Sequence, residues 1–335
     1  MKPWLVLLIL GVLLLLSMVM GVVWGSVSIP LADLWDVLWG GSNGNNYDVI
    51  VWQLRMPRVL LGACVGYALG LCGAVMQGVF RNPLAEPYLL GIAGGSTAGA
   101  ALVITLGLGH LTLLLPVGAF GGGVLAMTLV YSIAHTRVLR LSNTTLILAG
   151  VAVGSIFASV TSFLMFFSPQ EQLQQVIFWL MGSLASANWK PLGGLAALIV
   201  VGSLVLLGRG RELNAMALGD DMAQHLGIHP LALKRLLLLV ATLLTSATVA
   251  FSGTIGFVGL IVPHATRLMI GPDHRWLLPV SGMAGAVFLV LCDLLARTVM
   301  RPLELPVGLV TALFGAPFFL YLLKSYRDVR PGGGG

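Results

Sequence analysis

Apolar residues run along this 335-residue chain in blocks of roughly twenty, separated by short polar breaks. A helix rises about 1.5 Å per residue, so ~20 apolar residues cross the ~30 Å hydrocarbon layer of a bilayer. On that length the blocks predict ten membrane spans. Nine fall at about 4–24, 59–80, 88–106, 111–133, 145–167, 192–207, 236–251, 277–295 and 307–323, and an eighth in chain order begins at Ile255 with Pro263 inside it. The first block follows Lys2 and is longer than the ~7–15 residues of a signal-peptide core, so it reads as a span. Between the first two spans, residues 29–39 predict a short interfacial helix with Trp35 and Trp39 at headgroup level, and 40–46 a Gly/Ser/Asn loop. Pro83 and Pro87 break the chain after the second span. Residues 176–181 are apolar but too short to cross.

One stretch does not belong in lipid. Residues 211–230 are polar and carry both signs of charge between two long apolar blocks. Leu213, Met216, Ala217, Met222, Ala223 and Leu226 recur at helical spacing, with a break at Gly219. Asp220 and Asp221 suit the start of a second short helix and Gly227 its end. Two short helices at the membrane surface are expected. Such an elbow is either a solvated loop or a docking surface whose apolar stripe fills a partner's groove.

Composition agrees with a membrane bundle: 58% of residues are hydrophobic and 9% charged, against about a quarter charged in soluble domains. The 43 glycines let helix backbones approach closely where water cannot drive packing. The fold class is therefore all-α, a single polytopic domain over 1–335, with a disordered tail expected at 328–335. The net charge of +6 is assigned to loops facing anionic lipid rather than to nucleic acid. With the N-terminus in the cytoplasm and ten alternating spans, thirteen basic residues fall inside, among them Arg81, Arg137, Arg140, Arg209, Arg211 and Lys234. Five fall outside: Arg55, Arg58, Lys190, Arg297 and Arg301. That is the positive-inside direction and places both termini in the cytoplasm. Cys64, Cys72 and Cys292 all lie in apolar segments without metal-ligand spacing and read as small buried hydrophobes.

The chain carries no phosphate-binding Gly-x-x-x-x-Gly-Lys motif, no His-Glu-x-x-His and no Cys-x-x-Cys, so it reads as neither an ATPase nor a metal enzyme. His264 beside Pro263 reads as a packing residue, and Gly227 and Pro230 spoil a metal site from His225 and His229. Asp293 is the main carboxylate inside a span. An ion-coupled carrier using Asp293 or Glu304 is the alternative function, but such carriers usually need more intramembrane carboxylates. Arg55, Arg58 and Arg297, on the side where basic residues are disfavoured, are either anchors for lipid phosphates or sockets for carboxylates of an external protein.

Gln53-Leu-Arg55-Met-Pro57-Arg58 and Gly73-Ala-Val-Met-Gln77-Gly-Val-Phe-Arg81-Asn82-Pro83-Leu84-Ala85-Glu86-Pro87 carry a family resemblance. So do Phe178-Trp-Leu-Met-Gly182-Ser, Gly253-Thr-Ile-Gly256-Phe-Val-Gly259-Leu-Ile-Val-Pro263-His264, Asp273-His274-Arg275, Glu304-Leu-Pro306-Val-Gly308 and Gly315-Ala-Pro317. Taken in order over nearly the whole chain, they resemble the membrane subunits of type II ABC importers for vitamin B12, haem and iron-siderophores, the FecCD/BtuC permease family. The resemblance implies an inner-membrane homodimer with a central pathway lined by the fifth span and the short helix after it, and an iron chelate as the commonest cargo. It implies two copies of a separate ATPase, which bind the ATP and Mg, so that this chain holds no cofactor of its own and is no enzyme. The ATPase would dock at the elbow, through Glu212, Leu213, Met216, Leu218, Gly219, Asp220, Asp221, Ala223, Leu226 and Gly227. A periplasmic binding protein would meet Arg55, Arg58 and Arg297. A cytoplasmic gate would involve Asn82, Leu84, Asn143 and Thr144.

Overall fold

The computed structural model describes residues 2–25, 27, 29–30, 33, 35–37, 47–109, 111, 113–134 and 142–328. The loop at 40–46, the basic stretch with Arg137 and Arg140, and the 329–335 tail lie outside the described residues. The described residues form helices and no strand. In chain order these are α1 Pro3–Val23, a π-helical turn Val49–Arg55 running into α2 Met56–Phe80, a 3-10 turn Pro87–Leu90, α3 Ile92–Thr105, α4 Leu114–Ala134 and α5 Asn143–Phe167. Then follow α6 Gln170–Leu180, α7 Trp189–Leu207, α8 Gly210–Ala217, α9 Asp220–His225, α10 Pro230–Ser252, α11 Val258–Ile270, α12 His274–Thr298 and α13 Val307–Asp328. Seven are long and apolar enough to cross a membrane, and α3, α11 and α13 supply three shorter apolar helices. Together these are ten apolar helices, the number that the sequence predicts as spans, seven of them long enough to cross.

The boundaries differ where turn chemistry decides. The second span starts ten residues earlier than the apolar run suggests, at Val49 rather than 59, because a π-helical turn, in which the Met56 N–H donates to the Val51 carbonyl, runs straight into α2 ahead of Pro57. The third span begins at Ile92, after Gly91 turns the chain at φ 74°. The seventh begins at Pro230, again a first-turn proline. Residues 176–180 belong to the longer amphipathic α6, with Met181 as its C-cap.

α2 is the central post. It packs against α1, α7, α8, α10, α11 and α12, and α2, α10 and α12 are mostly buried while no more than a third of α1, α4, α5 or α7 is buried. Glycines set the closest crossings. A Cβ on Gly66 would stand 2.3 Å from the Gly285 carbonyl oxygen, and one on Gly73 would stand 2.0 Å from that of Gly259. These are backbone-on-backbone approaches between α2 and α12 and between α2 and α11.

Several of the separated sequence motifs meet at the end of α6. Ser183 N–H donates to the Ser252 carbonyl at 2.8 Å, and Thr254 Oγ1 donates to the Leu180 carbonyl at 2.6 Å. A Cβ on Gly308 would lie 2.2 Å from the Met181 carbonyl oxygen. The Gly182, Gly253 and Gly308 motifs are thus one backbone junction seating α6. Phe257, at φ 70°, starts α11 in a conformation rare for a bulky residue. Its ring fills the space that a side chain on Gly315 would need.

Candidate functional site: the elbow and the rim arginines

α8 and α9 form the expected elbow, broken at Gly219 (φ 127°) and closed at Gly227 (φ 78°). Asp220 and Asp221 occupy the first turn of α9, where the helix dipole favours negative charge. The apolar positions do not make one stripe. Leu213 and Met216 are fully buried and root α8 on α2 and α12, and Ala223 is fully buried in α9, which packs on α8 and α10. Leu218, 70% exposed, and Leu226, 59% exposed, face outward together with Met222. Sequence periodicity merges these two sets because each short helix has one face on the bundle and one away from it.

Two polar anchors fix the elbow. In the first, Arg81, the residue ending α2, donates from Nε to the Met216 carbonyl at 2.6 Å and pairs with Asp220. Lys234 at the start of α10 reaches the same carboxylate, Nζ to Oδ2 at 2.8 Å. In the second, Asn214 Nδ2 donates to Asp273 Oδ1 at 2.6 Å, and His274 N–H donates to Asn214 Oδ1 at 2.8 Å. Asp273 also caps α12 and pairs with Arg275. Glu212 pairs with Arg209 at 2.6 Å. Asp220 is therefore an internal staple. Arg81, Lys234, Asn214 and Asp273 were not predicted as site residues, and spacing could not have found them: Arg81 and Asp220 are 139 positions apart.

Burial by itself would raise the Asp220 carboxyl, but Lys234 and Arg81 hold it below the ordinary carboxylate range. Hydrogen bonding from Arg275 holds Asp273 well below that range; burial opposes this, and Asn214 adds to it. Depressed carboxylates stabilise above their unfolded-state value near ~4 and lose that contribution as pH falls through the folded one. Amide exchange in α8 and α9 is expected to stay protected from about pH 8 to 5 and to open below about pH 4. Opening between pH 6 and 8 instead would show that these carboxylates do not hold the elbow.

The first anchor sits beside the expected gate residues. Arg81 leads into Asn82, whose Oδ1 accepts from Leu84 N–H at 2.9 Å. Asn143, at the start of α5, donates from Nδ2 to the Val79 carbonyl at 3.3 Å. Asn82, Leu84 and Asn143 therefore gather at the end of α2, and Thr144 is exposed next to them. Ser142 caps α5 by accepting from Thr145 N–H at 3.1 Å.

At the other end of α2, Arg55, Arg58 and Arg297 line a cavity of about 430 Å³. Their guanidinium groups turn inward. Arg55, 5% exposed, donates to the Val22 and Val23 carbonyls at 2.7 Å each and to Val27. Arg297, 3% exposed, donates to the Gly21 carbonyl at 3.1 Å. Asp293 lies between Arg58 and Arg297 at 3.0 Å from each. Arg297 Nε approaches off its N–H axis, which makes that contact an ion pair and not a hydrogen bond. Arg58 also reaches Glu304 at 2.7 Å. The arrangement ties α1, α2, α12 and the turn before α13 together, and Arg58 with Glu304 forms its reachable edge.

The FecCD transport family model matches residues 13–325. The chain belongs to that family. It is 48% identical over 282 residues to the cobalamin import system permease protein BtuC of Halobacterium salinarum, covering 84% of this chain and 75% of that protein. It is 40% identical over 333 residues to the hemin transport system permease protein HmuU of Yersinia pestis, covering 97% and 98%. A metal-chelate type ABC transporter solved in an inward-facing conformation superposes with a TM-score of 0.85 at 33% identity, over 95% of this chain and 98% of that one. As a FecCD member the chain is a multi-pass membrane permease of ABC type, with the fold of the BtuC-like permeases. ATP hydrolysis in such systems resides in a separate subunit, and a substrate-binding protein works with the permease.

Proposed function

We propose that this FecCD permease imports a bulky chelate (cobalamin, haem or an iron-siderophore) as a homodimer bound to two ATPase copies, with both termini and the elbow in the cytoplasm. The observation that carries the ATPase assignment is the outward set Leu218, Met222 and Leu226 on an elbow whose other face is fully rooted. Exposed apolar residues on short polar helices, flanked by Asp221 and Gln224, suit a protein groove better than lipid. Closure of the ATPase would move the elbow, and Arg81 and Asn214 would pass that movement to the ends of α2 and α12. The relatives named for cobalamin and for hemin support a large delivered cargo and leave its identity between these chelates.

The exposed face of α5 supports a pathway along it. Ser155, Ser159 and Ser162 are exposed there, and each hydroxyl donates to the carbonyl four residues back at 2.9–3.0 Å. Such hydroxyls are polar without seeking an outside partner, which suits a surface that a large cargo must slide past. A binding protein would dock at the opposite end through the Arg58–Glu304 edge.

The decisive experiment replaces Leu218 and Leu226 by aspartate in the full transporter. Both side chains are exposed, so thermal stability of the permease should stay near the wild-type value. Binding of the ATPase should weaken by ~30-fold or more, since an anchor residue of an interface contributes about 2 kcal/mol or more, and uptake of labelled cobalamin, haemin or ferric-siderophore should stop. An ATPase that still binds at wild-type strength would overturn the docking assignment.

A further inference from the structure

A cleft of about 260 Å³ opens between α4 and α10 on the outer flank of the bundle. Val124, Met127 and Leu239 contribute apolar wall, and the neighbouring Leu125 and Leu129 are exposed on the same flank. One end is cationic: Arg235 is exposed, and its guanidinium carbon lies 5.9 Å from the centre of the Tyr131 ring. Among the described residues no carboxylate lies within ion-pair distance of Arg235. The adjacent Lys234, by contrast, is buried and committed to Asp220. Further along the cleft, Thr242 is 2% exposed and its Oγ1 has no hydrogen-bond partner. A buried hydroxyl favours a hydrogen-bond partner, and Thr242 lines the cleft, where an acceptor on an occupant would supply one.

The two walls are in register. Arg235 and Thr242 are seven residues apart on α10, as are Tyr131 and Val124 on α4, and seven helical residues span ~10.5 Å. Arg235 stands five residues into α10, ~7.5 Å from its start, at a depth where a long basic side chain reaches the headgroup layer. The Tyr131 ring steadies the planar guanidinium and leaves its N–H edges free for a bidentate acceptor such as a phosphate.

We propose that this cleft is a binding site for one anionic phospholipid. Its phosphate pairs with Arg235, its glycerol ester carbonyl accepts from Thr242, and one acyl chain lies along Val124, Met127 and Leu239. An acyl chain fills an apolar groove whatever its headgroup, and the phosphate and ester contacts are common to all diacyl phospholipids; selection for net negative charge comes from Arg235, which repels the quaternary ammonium that neutralises a phosphatidylcholine headgroup.

The test is native mass spectrometry of the full-length protein released from vesicles of equal phosphatidylglycerol and phosphatidylcholine. The wild type should retain one phosphatidylglycerol with ~5-fold preference, the value of about 1 kcal/mol for one basic residue at the surface. Arg235→Gln should abolish the preference and Arg235→Lys should keep part of it. Thr242→Val should lower retention of both lipids while leaving the preference intact. Excess soluble glycerol phosphate should not displace the lipid, because it lacks the chain that fills the cleft. Equal retention of the two lipids by the wild type, undiminished preference in Arg235→Gln, or displacement by glycerol phosphate would each overturn the proposal.

Discussion

Asp293→Asn is expected to destabilise the permease by about 3–5 kcal/mol, the usual cost of removing one partner from a buried ion pair. Asp293 is 1% exposed and meets Arg58 and Arg297 at 3.0 Å each. Arg58 keeps Glu304, but Arg297 keeps only the Gly21 carbonyl. A buried guanidinium without an anion is the source of the loss. Thermal unfolding in detergent should show a large drop, and the double variant Asp293→Leu, Arg297→Leu should recover part of it, since the orphaned charge leaves with its partner. The same variant separates this role from ion coupling. A coupling carboxylate would leave stability near wild type when neutralised while ending transport; that result would remove Asp293 from the structural account.

Gly73→Val is expected to prevent stable folding. A Cβ there would lie 2.0 Å from the Gly259 carbonyl oxygen, 2.6 Å from its carbon and 2.7 Å from its Cα. No side chain can swing aside, because every atom met is backbone, so α11 as a whole must move away from α2. Overpacking usually costs about 1–3 kcal/mol when flexible side chains absorb it; a rigid helix pair falls at or beyond the top of that range, and separating the helices also forfeits the close packing that holds membrane helices together. Gly73→Ala should fold poorly. Gly11→Ala and Gly121→Ala, where a Cβ meets nothing within 4 Å, should stay within about 0.5 kcal/mol of wild type. Monodisperse, thermally stable Gly73→Val protein would show that α2 and α11 do not approach as described.

The elbow was legible at the level of its helices. Gly219, the two aspartates after it and Gly227 are local signals, and local turn chemistry placed them correctly. Which of its apolar residues face inward was not legible, because a helix of eight residues and another of six carry too few positions for periodicity to separate two faces. The role of Asp220 was likewise hidden. A carboxylate in a first helical turn satisfies the dipole rule by itself, and nothing near it in sequence points to Arg81. The rim arginines show the same limit: an arginine near a membrane face has the same sequence signature whether it is free or turned onto carbonyls, and only the path of α1 past residues 55 and 297 decides between these.

By itself the sequence determined that this is a bundle of about ten membrane helices, where most of them lie, that 211–230 is a polar elbow, and to which family the motifs point. These follow from hydrophobic length, proline and glycine punctuation and motif order, all of which act over a few residues or are counted along the chain. The tertiary structure alone decided that α2 is the central post, which glycines face which backbones, that Asp293 is neutralised by two arginines, and that the elbow is stapled to the ends of α2 and α12. The physical reason is common to all four. In a chain this apolar, nearly every helix looks equally ready to be buried, so partners are chosen by close fit and by rare charges meeting across distances of tens to hundreds of residues, and such meetings leave no periodicity in the sequence.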